Sequence, residues 1–189
     1  AQACGRRLPG VRVEVAAAEA LPFGDEEFDH ALAQLVLNFM SDPPVGVDEM
    51  QRVTRRGGTV AAAVWDYAGA MTLLRRFWDA AVALDPAAAD VDEGRTMPFC
   101  THDELGGLWS AAGLANVSVV GVAVSAAYES FDDLWRPLES GVAPSGAYAA
   151  SLAPDRRLAL ADELRRRLGA GDDPFRLTKY SLLVPMLGL

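Results

Sequence analysis

The apolar positions of the chain change period several times, and each change marks an element. Residues 11–15 (Val-Arg-Val-Glu-Val) alternate strictly, which predicts a short strand after a helix end over 1–7 that Pro9-Gly10 closes. Residues 28–37 form a nearly unbroken apolar run of strand length. That is the pattern of a parallel strand covered by helices on both faces, and it predicts a central strand. Asp42 ahead of Pro43 and Pro44 predicts a helix start. The side chain caps the first turn, and the prolines lack only an N–H that would go unpaired there. Val47, Met50 and Val53 fall on one face of this helix, and Gly57 is expected to end it.

A second buried strand is expected over 59–65, followed by an amphipathic helix from about 70 to 84 that Pro86 stops. Thr101-His102-Asp103-Glu104 reads as a capping box, with Gly113 ending its helix. Residues 114–123 return as strand, 131–139 and 154–168 read as helices, and 177–186 as a final apolar strand. Strands alternating with helices define an α/β fold with helices on both faces of a sheet. One domain over 1–189 is expected, with a helical insertion at about 129–173 before the last strand, and no repeat or low-complexity linker interrupts it.

Composition narrows the function. With 17 basic and 26 acidic side chains the net charge is −9, which repels a polyphosphate backbone, so no nucleic-acid partner is expected. Cys4 and Cys100 are too few for a disulfide framework or a four-ligand zinc site, and they read as small apolar fillers in a reducing compartment. No apolar stretch reaches the roughly 20 residues that span a bilayer, and no signal-peptide core opens the chain; a cytoplasmic protein without a membrane partner is expected. Lys179 is the only lysine, which removes most routes to Schiff-base chemistry. The arginines at 156–157 and 165–167 lie opposite an apolar helix face and read as a solvated surface, with a small-anion contact as the alternative.

In open α/β sheets ligands bind beyond the carboxyl ends of the strands. That rule selects residues 16–23, 34–40 and 65–68. Gln34 is a polar residue within an apolar run and is read as a buried amide in need of a partner. Trp65, Asp66 and Tyr67 fall in the last of these segments, where a core Trp and a surface Asp-Tyr are the plain reading. Leu21 and Phe23 could pin the turn to the core or form a shelf.

The run from Ala18-Glu19-Ala20-Leu21-Pro22-Phe23 through Phe28-Asp29 to Arg52-Val53-Thr54-Arg55-Arg56-Gly57-Gly58 resembles the middle of a class I S-adenosylmethionine-dependent methyltransferase. The resemblance is to the small-molecule type, related to the ubiquinone and menaquinone biosynthesis enzymes. Arg56 stands where the family reads proline, and Ala63-Val64-Trp65-Asp66-Tyr67 resembles the strand end of one subgroup. The resemblance implies a Rossmann-like methyltransferase sheet, S-adenosylmethionine as cofactor, no metal, and methyl transfer to a small-molecule acceptor. It assigns Ala18, Glu19 and Ala20 to the adenine loop, although the preceding position, commonly Asp, is Ala17. Gln34 and Leu35 would hold the methionyl part, and Asn38, Trp65, Asp66 and Tyr67 would face the substrate. Such a displacement depends chiefly on alignment, so a dedicated base need not exist. Asp66 is the weak candidate, while His30 and His102 read as surface or cap residues and Asp29 as structural.

The family's first strand with its G-x-G-x-G loop, and the acidic residue after the next strand, are not in these 189 residues. The chain is therefore expected to be N-terminally incomplete, without its first strands, and to bind cofactor poorly. A different class of function, a non-catalytic binding or assembly protein with this fold, gains weight from the same point. The strands at 11–15 and 28–37 would each lack a neighbour, which implies re-pairing, a partner chain or homo-oligomer, or missing residues. A nicotinamide-dependent reductase is weaker, since no G-x-G-x-x-G follows a strand and Lys179 sits in no Tyr-x-x-x-Lys arrangement; two dispersed histidines argue against metal hydrolysis.

Overall fold

The computed structural model describes residues 6–68 and 71–184, so Cys4 and most of the first expected helix lie outside the described residues. The chain separates into two compact units, one of Ala1–Ala63, Leu105–Val119 and Val184–Leu189, the other of Val64–Glu104 and Val120–Leu183.

In the first unit β1 (Phe28–Gln34) runs parallel to β2 (Thr54–Trp65), with Ala31 opposite Val60 and Gln34 opposite Ala63. Helix α1 (Pro43–Val53) connects them and packs on β1. Its start is as expected: Val45 N–H donates to Asp42 Oδ1 at 3.3 Å ahead of the prolines, and Val47, Met50 and Val53 are buried. Its end is not. Thr54 enters β2 directly, its Oγ1 donating to Met50 O at 2.7 Å, and Gly57 lies inside the strand with φ +75°. Between Phe28↔Thr54 and His30↔Thr59 the register steps two residues on β1 and five on β2. The Arg-Arg-Gly-Gly segment is thus a bulge rather than a helix stop, because a left-handed glycine there lets the extra residues loop out of the ladder. A Cβ at Gly58 would lie 2.5 Å from Asp29 O.

Two further expectations are corrected in this unit. β1 stops at Gln34, where Leu35 turns left-handed (φ +56°) into a 3-10 turn over Leu37–Phe39 that buries Leu37 and Asn38. It is also an edge rather than a central strand: among the described residues it ladders with β2 alone, and Leu32 is 75% exposed. Residues 11–16 form no strand, since a strand needs a ladder partner; Val15 is 83% exposed, and Arg12 instead reaches Glu14, Glu27 and Pro22 O.

The second unit carries α2 (Thr72–Leu84), a 3-10 turn over Pro86–Val91, the single turn α3 (Glu93–Thr96), and the antiparallel pair β3 (Val120–Tyr128) and β4 (Phe175–Val184). Between the last two strands lie α5 (Phe131–Glu139), α6 (Ala143–Ser151) and α7 (Pro154–Leu168), which form the expected helical insertion. Its core centres on Phe77, Trp78, Leu134, Leu160 and Leu164, with α2 packed on α7 and α5 on α6. Helix α6 lacks an apolar stripe and is held at its end by Arg157, which donates to Ala149 O, Ala150 O and Leu152 O at 2.9–3.1 Å. The other arginines of that surface pair with Glu163, Asp85 and Asp172. Helix α4 (His102–Ala111) opens on the expected box: Glu104 N–H donates to Thr101 Oγ1 at 3.3 Å and Thr101 N–H to Glu104 Oε2 at 3.2 Å. The strand expected from 114 begins at Val120, after Asn116 takes φ +55° and breaks the extended backbone.

Candidate functional site

The loop before β1 is a tight turn, with Ala20 N–H donating to Ala17 O at 3.1 Å and Phe23 N–H to Leu21 O at 2.9 Å. Glu19 turns back toward α1, its Oε1 accepting from Ser41 N–H (2.8 Å) and Asp42 N–H (3.1 Å). Those amides hold its carboxyl below the usual range, so the side chain is already engaged and the loop offers a ligand its backbone. Gly46 supplies a flat spot on α1, because a Cβ there would meet Met40 Sδ at 2.6 Å.

Between this loop and β1 lies a cavity of about 510 Å³. Ala18, Leu21 and Phe23 of the loop line it together with Leu32 and Gln34 of β1, Val36 and the side chains of Met40 and Met50. Ala18 and Gln34 are thus brought onto one cleft, as the strand-end rule expects. Gln34 is exposed, which removes the argument from a buried amide; alternation along β1 points it outward while Ala33 is buried. Leu35 N–H is occupied by Ala63 O at 2.7 Å. Asn38 is buried in its turn. His30 lines the cleft, a placement that its i, i+2, i+4 spacing with Leu32 and Gln34 could have signalled. The cleft is an apolar slot with a polar end, suited to a flat ring carrying hydrogen-bonding groups.

In the second unit Trp65, Asp66 and Tyr67 form the turn that leaves β2, with Tyr67 N–H donating to Trp65 O at 2.9 Å and Met71 N–H to Asp66 O at 3.2 Å. Tyr67 is only 5% exposed, and burial pushes its hydroxyl up to about 12, with Glu93 and Cys100 adding to the shift. Trp65 packs against the same core, and Asp66 is half-buried. Burial likewise raises the Cys100 thiol to about 11, which leaves it an inert core group. His102 is exposed in the first turn of α4.

A buried carboxyl nearby has no counterpart in the sequence reading. Glu93 is 1% exposed; Trp78 Nε1 donates to its Oε2 at 3.0 Å, while its Oε1 has no partner among the described residues. Burial holds it above the usual carboxyl range, and the Trp78 bond and Arg75 only partly offset this. Arg75 itself grips Asp92 with both terminal nitrogens. No group of three or more His, Cys, Asp or Glu among the described residues could hold a metal ion.

The chain resembles the class I S-adenosylmethionine-dependent methyltransferases of the small-molecule type and carries their Rossmann-like fold. Residues 1–62 match the methyltransferase domain family. Mycobacterium tuberculosis Rv1405c, an uncharacterized protein, is 30% identical over 153 residues, 78% of this chain and 56% of its own. Malonyl-[acyl-carrier protein] O-methyltransferase of Erwinia pyrifoliae is 31% identical over 111 residues, 51% of this chain and 42% of that enzyme. Among solved structures, the YcgJ protein of Bacillus subtilis shares the fold with a TM-score of 0.55 at 18% identity, covering 99% of this chain and 75% of its own. The chain spans about half the length of these curated relatives. No helix among the described residues is long and apolar enough to cross a membrane.

Proposed function

We propose that these residues are part of an enzyme that transfers a methyl group from S-adenosylmethionine to a small-molecule acceptor in the cytoplasm. The observation that carries the reading is the cleft itself, in which Ala18 of the Ala18-Glu19-Ala20 loop meets Gln34 at the end of β1 in a volume of about 510 Å³. Small-ligand sites fall at roughly 300–1,000 Å³ and combine apolar walls with few polar groups, and this one is of that kind. Leu21 and Phe23 would bound the adenine ring, the loop backbone would meet its edge, and Gln34 would lie toward the methionyl part, with Leu35, which does not line the cleft, next to it in the chain. For the acceptor the family resemblance offers Asn38 in the first unit and, in the second unit, Trp65, Asp66 and Tyr67, of which Asn38 and Tyr67 are buried; Asp66 would be the base if one is needed.

No Arg, Lys, Asp or Glu lines the cleft among the described residues, so little there pairs with a carboxylate or a ribose diol, and these residues alone should hold the cofactor weakly. When bound, the cofactor would supply an electrophilic, sulfur-bound methyl group for the acceptor's lone pair, with the thioether sulfur as leaving group. The protein's part is to align the two and exclude water. A second reading, a binding or assembly protein with this fold, is favoured by the open edge of β1, which a partner strand or second copy could pair.

The test is label transfer from methyl-labelled S-adenosylmethionine to a pool of small metabolites by the protein translated from the whole reading frame. Labelled product, with a strand ending in G-x-G-x-G upstream, supports the enzyme. No transfer and no such loop would leave the binding protein.

A further inference from the structure

The loop that borders the cleft makes few hydrogen bonds of its own, and its shape is imposed by two side chains one turn apart on α1. Arg52 Nη1 donates to Phe23 O at 2.9 Å and to Asp25 Oδ1 at 2.7 Å, and Nη2 donates to Leu21 O at 3.2 Å. The same guanidinium is fixed by Glu49, with Nε to Oε1 at 2.6 Å and Nη2 to Oε2 at 2.8 Å. Glu49 Oε2 also accepts Leu21 N–H at 2.8 Å, so both backbone groups of Leu21 are held by this pair. The Arg52 carbonyl takes Glu26 N–H at 2.9 Å, tying down the far end of the loop. Arg52 and Leu21 N–H draw the Glu49 carboxyl down to about 2, so it stays ionised at any pH near neutral.

We propose that Glu49 and Arg52 are positioning residues for the adenosine end of the cofactor. This rests on the function proposed above. They touch no ligand in that role; they hold Leu21 and Phe23 at the distance from β1 that leaves the slot open. The requirement is for a planar fork, because five donors from one guanidinium reach two loop carbonyls and two carboxylates together. A lysine keeps the charge but offers a single point of contact. A residue that only stabilised the fold would change the folded fraction and leave the affinity of each folded molecule untouched. This pair should change the affinity, and only for the part of the ligand that the loop touches.

The experiment uses the 189-residue chain as wild type, Arg52→Met, Arg52→Lys and Glu49→Gln, each titrated by NMR with adenosine and separately with methionine, and corrected for folded fraction. Adenosine affinity should fall about tenfold in Arg52→Met and Glu49→Gln, the loss expected for one or two hydrogen bonds, with a smaller loss in Arg52→Lys. Methionine affinity should not change. Unchanged adenosine affinity, or an equal loss for both ligands, overturns the proposal while leaving the cofactor reading intact. If wild type binds neither ligand, the positioning role fails for this chain, and the cofactor reading is decided separately by label transfer with the protein from the whole reading frame. Amide exchange then reports the clamp separately: Leu21 and Glu26 should exchange at least tenfold faster in Glu49→Gln and Arg52→Met with Val60 unaffected, and equal rates would show that the pair does not order the loop.

Discussion

Replacing Glu93 with glutamine should leave stability almost unchanged at pH 4 and raise it at pH 8. The carboxyl is 1% exposed, accepts one hydrogen bond from Trp78 and has an oxygen with no partner among the described residues, so burial favours its protonated form. In the unfolded chain it ionises near its ordinary value of 4.5. Above that pH the unfolded state sheds a proton that the native state retains, so stability falls as pH rises until the native carboxyl also ionises. The slope in that window is up to about 1.4 kcal/mol per pH unit. Glutamine reproduces the neutral carboxyl: its amide oxygen can accept the Trp78 N–H, and nothing titrates. The variant should therefore match wild type below pH 4.5 and gain on it above, by about 2–4 °C in melting temperature per kcal/mol for a chain of this size. Calorimetric melts of both proteins from pH 4 to pH 8 isolate the effect, since every other titrating group is common to them. A wild type more stable than the variant at pH 8, or a difference that does not change with pH, would refute the argument from burial.

The Glu49 carboxyl behaves oppositely, because Arg52 and Leu21 N–H depress it to about 2. Its stabilisation is complete above 4.5 and is lost as pH falls from there through about 2, so wild type should exceed Glu49→Gln at pH 7 and converge with it below about pH 2 in the same melts. Gly58→Ala places a Cβ 2.5 Å from Asp29 O and 2.8 Å from Arg55 O, both backbone, and should cost about 2 kcal/mol or more in urea unfolding. Arg157→Met keeps the apolar stem but removes three hydrogen bonds to the end of α6; a loss of about 1–3 kcal/mol is expected, with faster amide exchange in α6 than in α2.

Where one physical rule decided the local structure, the sequence was enough. The Asp42-Pro43-Pro44 start of α1, the Thr101-Glu104 box and the limits of α5 and α7 follow from capping chemistry and helical period alone. The failures come where a neighbour decides. Residues 11–15 alternate like a strand, but alternation gives only a face, and no ladder partner lies beside them among the described residues. The apolar run 28–37 suggested cover on both faces, whereas Leu32 and Gln34 are exposed. Gly57 has the left-handed backbone that a helix end would need, yet uses it in a bulge set by the register of β1. Of the candidate site, the meeting of Ala18 with Gln34 was legible from the strand-end rule. The grip of Arg52 on the loop was not, because that arginine belongs to a motif explained well enough by chain architecture. Glu93 was invisible, since a charged residue in an irregular segment carries no periodic sign of burial.

The central claim is that the loop before β1 and the end of β1 form the cofactor's binding surface. It is tested most directly by titrating the isotopically labelled 189-residue chain with S-adenosylhomocysteine and following backbone amide shifts. The account predicts saturable shifts, at high micromolar to millimolar ligand, centred on Ala18, Glu19, Ala20, Gln34 and Leu35. Shifts confined to other parts of the chain, or none at millimolar ligand from a folded sample, would contradict it.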